Sequence, residues 1–260
     1  MKKRMRRAKR RLKILIFIVG LALILLVLLY APLFNITAID VVGATRYTPD
    51  EIRQASGILL GENGFRKLRL TIEALELRLI DSESLVESLP YIKDCRVNLV
   101  FPNKVVIQVT ERQPAATIKH LDSFLIVDGD GYVLESNSQR THHELAELRG
   151  IEFTKYTLGG QLEARDIELV KIGVNIIEAI KTSDRNTEFK LFDILDWIDM
   201  VDRNNVLLSL DNRIIVRFNP EDKLQYTIDF TKEIFFKKIS STDTGRLEFS
   251  GNQNPSFIPQ

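Results

Sequence analysis

Residues 94–112 read DCRVNLVFPNKVVIQVTER, and this stretch decides the fold of the region around it. Apolar and polar residues alternate on both sides of Pro102-Asn103, which is typical of two half-buried strands joined by a turn. The first strand places these residues on one face: Cys95, Val97, Leu99 and Phe101. The second does the same with Val105, Ile107 and Val109. The stretch therefore predicts an antiparallel β-hairpin.

The residues before this hairpin predict one strand and two helices. Residues 36–41 form a short apolar run that ends at Gly43, which favours a strand. Thr48-Pro49-Asp50-Glu51 has the residues of a helix start, with a threonine cap, a proline in the first turn and a glutamate that completes a capping box. A second helix is expected over residues 71–89, where Ile72, Leu75 and Leu79 have helical spacing, and Leu85 and Leu89 continue an apolar face after a break. The order strand-helix-helix-strand-strand predicts a compact α+β unit over residues 35–112.

Residues 113–250 predict a second domain, a mixed and mostly antiparallel β domain. The pattern indicates strands at 124–127, 132–134, 206–210, 213–218 and 246–250. Asp211-Asn212 suits a tight primed turn between two of them. Helices are expected over 165–181 and from Asn219-Pro220 onward. Residues 251–260 are interpreted as a short polar tail.

The N-terminal residues predict a membrane anchor. Residues 1–13 contain nine Lys or Arg and no acid, and residues 14–34 are a continuous apolar run. A helix over such a run matches the thickness of a bilayer's hydrocarbon core. A cleaved signal peptide would have a shorter apolar run and a small-residue cleavage site. By the positive-inside rule, residues 1–13 form a cytoplasmic basic tail and everything after residue 34 lies outside the cytoplasm.

The charge of the body argues against nucleic acid as its partner. The chain has 36 basic and 35 acidic residues, so residues 14–260 hold 27 basic against 35 acidic ones. A surface with no basic surplus cannot neutralise phosphates. The single cysteine, Cys95, cannot form an intramolecular disulfide and alternates with apolar residues, so it is interpreted as a buried structural residue.

No catalytic, metal or cofactor motif stands out. Asp128-Gly129-Asp130-Gly131 resembles the start of a calcium loop, but Gln139 occupies the twelfth position, where an EF-hand needs glutamate. We interpret it as a turn between strands. His142-His143 has no cysteine or acidic cluster at ligand spacing and is interpreted as part of a solvated loop. The sequence therefore predicts no enzyme, no metal and no cofactor.

Several segments, in this order, resemble the FtsQ/DivIB cell-division proteins of bacteria, and the DivIB branch in particular. They are Phe34-x-Ile36-x-x-Ile39-x-Val41-x-Gly43, Gly61-x-Asn63-x-Phe65, Pro90-Tyr91-Ile92-Lys93, Phe101-Pro102-Asn103-x-Val105-x-Ile107-x-Val109-x-Glu111-Arg112-x-Pro114-x-Ala116, Val127-Asp128-x-Asp130-Gly131-x-Val133-Leu134 and Leu148-x-Gly150. The resemblance covers residues 1 to about 150 by motif and the rest by element order. One departure is Tyr91, where many members carry tryptophan.

The resemblance implies a fold and a function. Residues 35–112 would be a POTRA domain and residues 113–250 the β domain of a non-enzymatic divisome scaffold in the cell membrane at the division septum. Its partners would be the membrane proteins of the FtsB/DivIC and FtsL types, which link septum assembly to the septal peptidoglycan synthases. In this family the last strands form an edge that accepts a partner strand. That edge maps onto Arg246, Leu247, Glu248, Phe249 and Ser250, with a further contribution expected from Asn254, Pro255, Ser256 and Phe257. The alternative is that residues 246–250 form a core strand or that their edge is covered.

Two other functions stay open from the residues themselves. A membrane-anchored extracytoplasmic enzyme or sensor of the cell wall predicts a concave polar pocket in which acidic or histidine side chains converge. A POTRA module of an outer-membrane assembly factor would need a barrel's many alternating strands, and the sequence does not have that pattern. An exposed sheet edge near Phe249 would favour the scaffold.

Overall fold

The computed structural model describes residues 2–69, 72, 76–249 and 255–259, and for residues 2–8 and 10 it describes the backbone alone. The chain divides into two compact units, residues 1–111 and residues 112–260. The first contains an apolar helix and a β-α-α-β-β domain, and the second contains a large mixed sheet. This arrangement confirms the predicted α+β class.

The first unit begins with a long helix, α1, over Lys2–Tyr30. Its part Arg11–Tyr30 is long and apolar enough to cross a membrane. Pro32–Phe34 then forms a short 3-10 turn, consistent with proline as a helix stop. Phe34, which the sequence assigned to the apolar span, is instead buried, with its ring centroid 5.1 Å from that of Phe65. The rings of Phe65 and Phe101 lie beside it, so Phe34 belongs to the core of the folded domain.

A three-stranded sheet forms the centre of the first unit. Its strands are β1 (Ala38–Val42), β2 (Ile92–Val100) and β3 (Lys104–Glu111), in the order β1-β3-β2. β3 is parallel to β1 and antiparallel to β2, so the predicted hairpin is confirmed. The alternating residues Cys95, Val97, Leu99, Val105, Ile107 and Val109 are all buried. Phe101 lies beyond β2, in the turn, and is largely exposed.

The first helix of this domain, α2 (Pro49–Ala55), starts as the sequence predicts. The Glu51 carboxylate accepts a 2.7 Å hydrogen bond from the Thr48 amide, and the Thr48 hydroxyl accepts one from the Glu51 amide. Both donors would otherwise be unpaired at the helix start.

The second helix is shorter than predicted. Helix α3 covers only Ile80–Glu87, and residues 71 and 73–75 of the predicted helix lie outside the described residues. The Leu79 amide donates to the Val97 carbonyl at 2.8 Å, so the backbone before α3 pairs with β2 and is not available for helical bonds. Leu85 is exposed, and Val86, with Ser82 and Glu83, is buried in its place. The prediction was therefore wrong for residues 77–79, since pairing with a neighbouring strand outweighs local apolar spacing.

Among the described residues of the second unit, nine strands form one sheet. They are β4 (Pro114–His120), β5 (Ser123–Asp128), β6 (Val133–Asn137), β7 (Glu147–Arg149), β8 (Leu195–Asp202), β9 (Asn205–Leu210), β10 (Ile214–Phe218), β11 (Gly245–Glu248) and β12 (Ser256–Pro259). Their order is β12-β11-β10-β9-β8-β7-β4-β5-β6. Pairs β4–β7, β7–β8 and β10–β11 are parallel and the others antiparallel. The sheet is mostly antiparallel, as predicted.

Two helices pack on this sheet. Helix α4 (Glu168–Ser183) buries Val170, Ile177 and Ile180 at the predicted spacing, and helix α5 (Leu224–Lys237) buries Ile228 and Phe235. α5 begins later than Asn219-Pro220 because the Asn219 side chain accepts from the Glu221 amide in a local turn and Lys223 has a positive φ of 47°. The predicted start of this helix was therefore wrong by one turn.

Candidate partner-binding edge

The edge of the large sheet lies one strand beyond the position that the sequence predicted. Residues 246–250 were expected to be the outermost strand. In the structure β11 is an interior strand, because β12 pairs with it antiparallel in the register Arg246↔Ile258 and Leu247↔Phe257. The edge assignment for residues 246–250 is therefore corrected to β12. Ser250 and Asn254 lie outside the described residues, and Pro255 directly precedes β12.

The predicted binding residues occupy different environments. Leu247 is 1% exposed and belongs to the main core, and Phe249 packs against that core. Arg246 and Glu248 lie on the opposite face, where their side chains form an ion pair at 3.4 Å. Leu247 and Phe249 therefore support the sheet, and Arg246 and Glu248 are available at its surface.

The sequence did not predict β12 because the strand has only four residues, follows one proline and ends on another. Its signal was the apolar pair Phe257-Ile258 within a polar segment. Phe257 is half-buried against the core, and Ile258 is exposed. The buried aromatic ring explains how so short a segment is held on the sheet.

The backbone pairing shows which groups of β12 face outward. The Gly245 amide donates to the carbonyl of Arg213, directly before β10, at 3.1 Å, and the Phe249 amide donates to that of Arg217 in β10 at 2.9 Å. Because hydrogen-bonding groups alternate along a strand, Arg246 and Glu248 direct theirs toward β12. The backbone N–H and C=O groups of their partners, Ile258 and Ser256, point toward β11 in turn. The N–H and C=O of Phe257 and the C=O of Pro259 therefore face away from the sheet, on a side where no described strand lies.

Gly245 allows β12 to approach β11 closely. A Cβ at this position would lie 2.4 Å from the Ile258 carbonyl oxygen and 3.0 Å from the Phe257 ring. Since the first of these is a backbone atom, no side-chain movement could relieve the overlap. The absence of a side chain at residue 245 is thus a condition for the observed pairing.

The segment that leads into β11 is held by Arg213. Its guanidinium donates to the carbonyls of Ser240 and Asp243, both at 2.9 Å, and lies 4.7 Å from the centroid of the Phe235 ring. The Arg213 carbonyl also accepts from Gly245. One residue between β9 and β10 therefore fixes the end of α5 and the start of β11.

The side chains considered for metal binding are used in structural contacts. Asp128 is buried, accepts from the amides of Asp130 and Tyr132, and forms a 2.7 Å ion pair with Arg112. His142 lies 2.8 Å from the Glu144 carboxylate and 3.3 Å from that of Glu135. In the described part of the chain, no three His, Cys, Asp or Glu residues form a group that could hold a metal.

The pKa of Cys95 agrees with its interpretation as a buried structural residue. Burial, followed by the nearby Glu83 and Glu87 carboxylates, raises the pKa of the Cys95 thiol to about 12. A thiol with so high a pKa is a poor nucleophile at neutral pH.

An open, polar depression of about 1010 Å³ lies beside Phe249. Three of its four carboxylates are paired with arginines: Asp166 receives two hydrogen bonds from Arg203, at 2.6 and 2.7 Å, Glu152 lies 3.4 Å from Arg165, and Glu248 lies 3.4 Å from Arg246. The fourth, Asp202, accepts a hydrogen bond from the Asn204 amide. The bonds from Arg203 lower the pKa of Asp166. A carboxylate held ionised in this way is not suited to act as a general acid.

An apolar N-terminal helix, long enough to cross a membrane, precedes a β-α-α-β-β domain of the POTRA type and a mixed sheet with an exposed terminal strand. The family model for the POTRA domain of FtsQ type matches residues 34–112. The chain is thus similar to the FtsQ/DivIB cell-division proteins, most specifically over its POTRA domain.

Individual relatives agree with this assignment. The cell division protein DivIB of Clostridium botulinum (strain Hall) is 27% identical over 98% of this chain and 93% of its own length. DivIB of Clostridium tetani is 26% identical over 86% of this chain and 79% of its own length. The cell division protein FtsQ of Corynebacterium glutamicum is 33% identical over 46% of this chain and 51% of its own length.

Proposed function

We propose that this cell-division protein is a divisome scaffold that binds a membrane protein of the FtsB/DivIC type by adding the partner's strand to β12. The observation that carries the proposal is the outward-facing backbone of Phe257 at the end of a nine-stranded sheet. An incoming strand would pair with the Phe257 N–H and C=O and the Pro259 C=O. Such backbone pairing supplies affinity, and neighbouring side chains supply selectivity.

Side chains around the edge suit a partner with mixed polarity. Ile258 is exposed and lies opposite Arg246, which is itself paired with Glu248. An apolar residue flanked by one charge of each sign selects a partner strand with an apolar side chain between polar ones. Leu247 and Phe249 support the sheet and do not contact the partner, since their side chains pack in the core.

In this proposal the scaffold lies in the cell membrane at the division septum, and the apolar helix Arg11–Tyr30 supports its anchoring there. With residues 1–13 on the cytoplasmic side, the POTRA and β domains are extracytoplasmic. An FtsL-type protein would join through the same assembly, which links the septal peptidoglycan synthases to the division ring. We infer that the protein acts by binding and not by catalysis, in keeping with the arginine-paired carboxylates of the depression beside Phe249.

The test is a comparison of the full chain with a chain that ends at Phe249 and so lacks β12. Both are purified in detergent, and their affinity for the DivIC-type protein of the same cell is measured. Binding by the full chain and its loss in the shortened chain support addition to β12. Tighter binding by the shortened chain would show that the partner replaces β12 and pairs with β11, and no binding by either chain would contradict the scaffold function. A melting curve of each chain verifies that the β domain is folded.

A further inference from the structure

The folded POTRA domain caps the end of the membrane helix. The Asn63 side chain is buried, and its amide donates to the carbonyls of Leu28 and Ala31 at 3.1 and 3.3 Å. These carbonyls lie at the C-terminal end of α1, where a helix has no intrahelical donors for its last turn. An unpaired carbonyl is costly close to hydrocarbon. Asn63 therefore joins the domain directly to the helix at the level of the membrane surface.

The loop that carries Asn63 is fixed against the chain that leaves the helix. The Gly61 amide donates to the Ile36 carbonyl, and the Ile36 amide donates to the Glu62 carbonyl, both at 2.8 Å. Asn35 and Asn63 also form a bridge. Residues 59–63 are thus held beside residues 35–36, only a few positions after the end of α1.

Four large apolar side chains are exposed at this end of the domain. Leu33 follows α1, Leu59 and Leu60 precede the fixed Gly61, and Phe101 has its ring centroid 5.4 Å from that of Phe34. They are 61–64% exposed. We call these four residues the membrane-proximal platform. Exposed apolar side chains grouped in this way mark an interaction surface.

The polar neighbours of the platform are those of a membrane interface. The Arg66 guanidinium lies 4.7 Å from the centroid of the Tyr30 ring, at the last residue of α1. Tyrosine and arginine are enriched where hydrocarbon meets headgroups, because their side chains have apolar and polar parts. The platform thus continues the apolar surface of α1, which is long and apolar enough to cross a membrane.

We propose that the membrane-proximal platform inserts into the leaflet at the C-terminal end of α1, with lipid as its occupant. Leu59 and Leu60 would lie among the acyl chain ends and Arg66 among the headgroups. The POTRA domain would then be attached to the bilayer at two places, the helix and the 59–60 loop. Such attachment restricts the tilt of the domain and so the direction in which the rest of the chain projects.

The test uses an environment-sensitive fluorophore on single cysteines in the full chain, in a Cys95→Ala background. The variants are Leu59→Cys and Leu60→Cys, and Val42→Cys is the matched control. Val42 is also exposed, but it is the last residue of β1, at the opposite end of that strand from Ala38, which follows the 35–36 segment. The proteins are reconstituted in lipid nanodiscs, and quenching by iodide and by nitroxide-labelled lipid is compared.

At positions 59 and 60 we expect blue-shifted emission, strong quenching by the labelled lipid and protection from iodide. The probe at position 42 should show the reverse. Probes at 59 and 60 that are as accessible to iodide as the probe at 42 would overturn the proposal. Because the three native side chains are exposed, the labels disturb no core packing, and circular dichroism verifies that each variant is folded.

Discussion

Ile258 lies opposite Arg246 in an antiparallel ladder, so the last strand of the chain covers the strand that the sequence marked as the edge. The exposed side of the sheet consequently belongs to β12, and its outward hydrogen-bonding groups are those of Phe257. This relationship decides how a partner strand could be accepted, and the close approach at Gly245 makes it possible.

Replacing Gly245 with alanine should loosen β12. The new Cβ would overlap the Ile258 carbonyl, and strain of this kind costs about 1–3 kcal/mol. We expect faster hydrogen exchange at the Ser256 and Ile258 amides, which point toward β11, and weaker partner binding. Gly129→Ala is the matched control, because its nearest atom would be a side-chain carbon at an ordinary 3.7 Å. Unchanged exchange in Gly245→Ala would show that β12 is not held at this point.

Lys232 is expected to be important for the stability of the β domain. Its buried ammonium donates to the Ser183 carbonyl, the Asp184 carboxylate and the Thr187 hydroxyl, at 2.9, 2.7 and 2.6 Å. Lys232→Met would leave Asp184 buried without its cation, a loss of about 3–5 kcal/mol. Urea unfolding measures this change. Lys237→Met, on the same helix but in an exposed pair with Glu233, should have little effect, and an equal effect of both would refute the assignment.

Glu111 should make the POTRA domain less stable at acid pH. Although burial opposes it, hydrogen bonds from the Thr45 hydroxyl and from the amides of Thr45, Arg46 and Tyr47 lower the pKa of Glu111 below its ordinary 4.5. A lowered folded-state pKa gives stability that is present above pH 4.5 and is lost as pH falls through the folded value.

Glu111→Gln removes the charge and keeps the shape of the side chain. We expect it to destabilise the domain at pH 7 by about 1–2 kcal/mol and to flatten the acid-side decline. Urea unfolding at a series of pH values measures both. An acid-side decline as steep as in the wild type would assign the dependence to another carboxylate.

His142 should have the opposite pH dependence in the β domain. Its hydrogen bond with Glu144 raises its pKa above 6.5, burial opposes this, and Glu135 adds to it. A raised folded-state pKa gives stability that is complete below pH 6.5 and is lost as pH rises through the folded value. Melting temperatures between pH 5.5 and 8.5 should show this small decline, flattened in His142→Gln. A decline that persists in the variant would contradict the assignment.

Sequence patterns predicted the local elements of this protein well. The alternation around Pro102-Asn103 and the capping box at Thr48 and Glu51 depend on neighbouring residues, and both are confirmed. The turn at Asp211-Asn212 has positive φ at both residues, as a primed turn requires.

The missed features depend on contacts that are distant in sequence. Residues 77–79 have apolar spacing that suits a helix, yet their backbone pairs with β2. β12 is too short to show alternation and exists because β11 offers it a partner. The position of the proposed binding edge could not be predicted from the sequence, since it depends on which strand pairs last.

The most direct test of strand addition is the affinity of the full chain for the DivIC-type protein, measured for Phe257→Pro and Phe257→Ala. Proline removes the outward N–H of residue 257, while residues 256 and 258 keep their bonds to β11. Alanine keeps the N–H and removes the ring, so it controls for lost packing. The scaffold proposal predicts that Phe257→Pro binds far more weakly than Phe257→Ala, with both variants folded. Equal affinity of the two variants would contradict backbone pairing at β12.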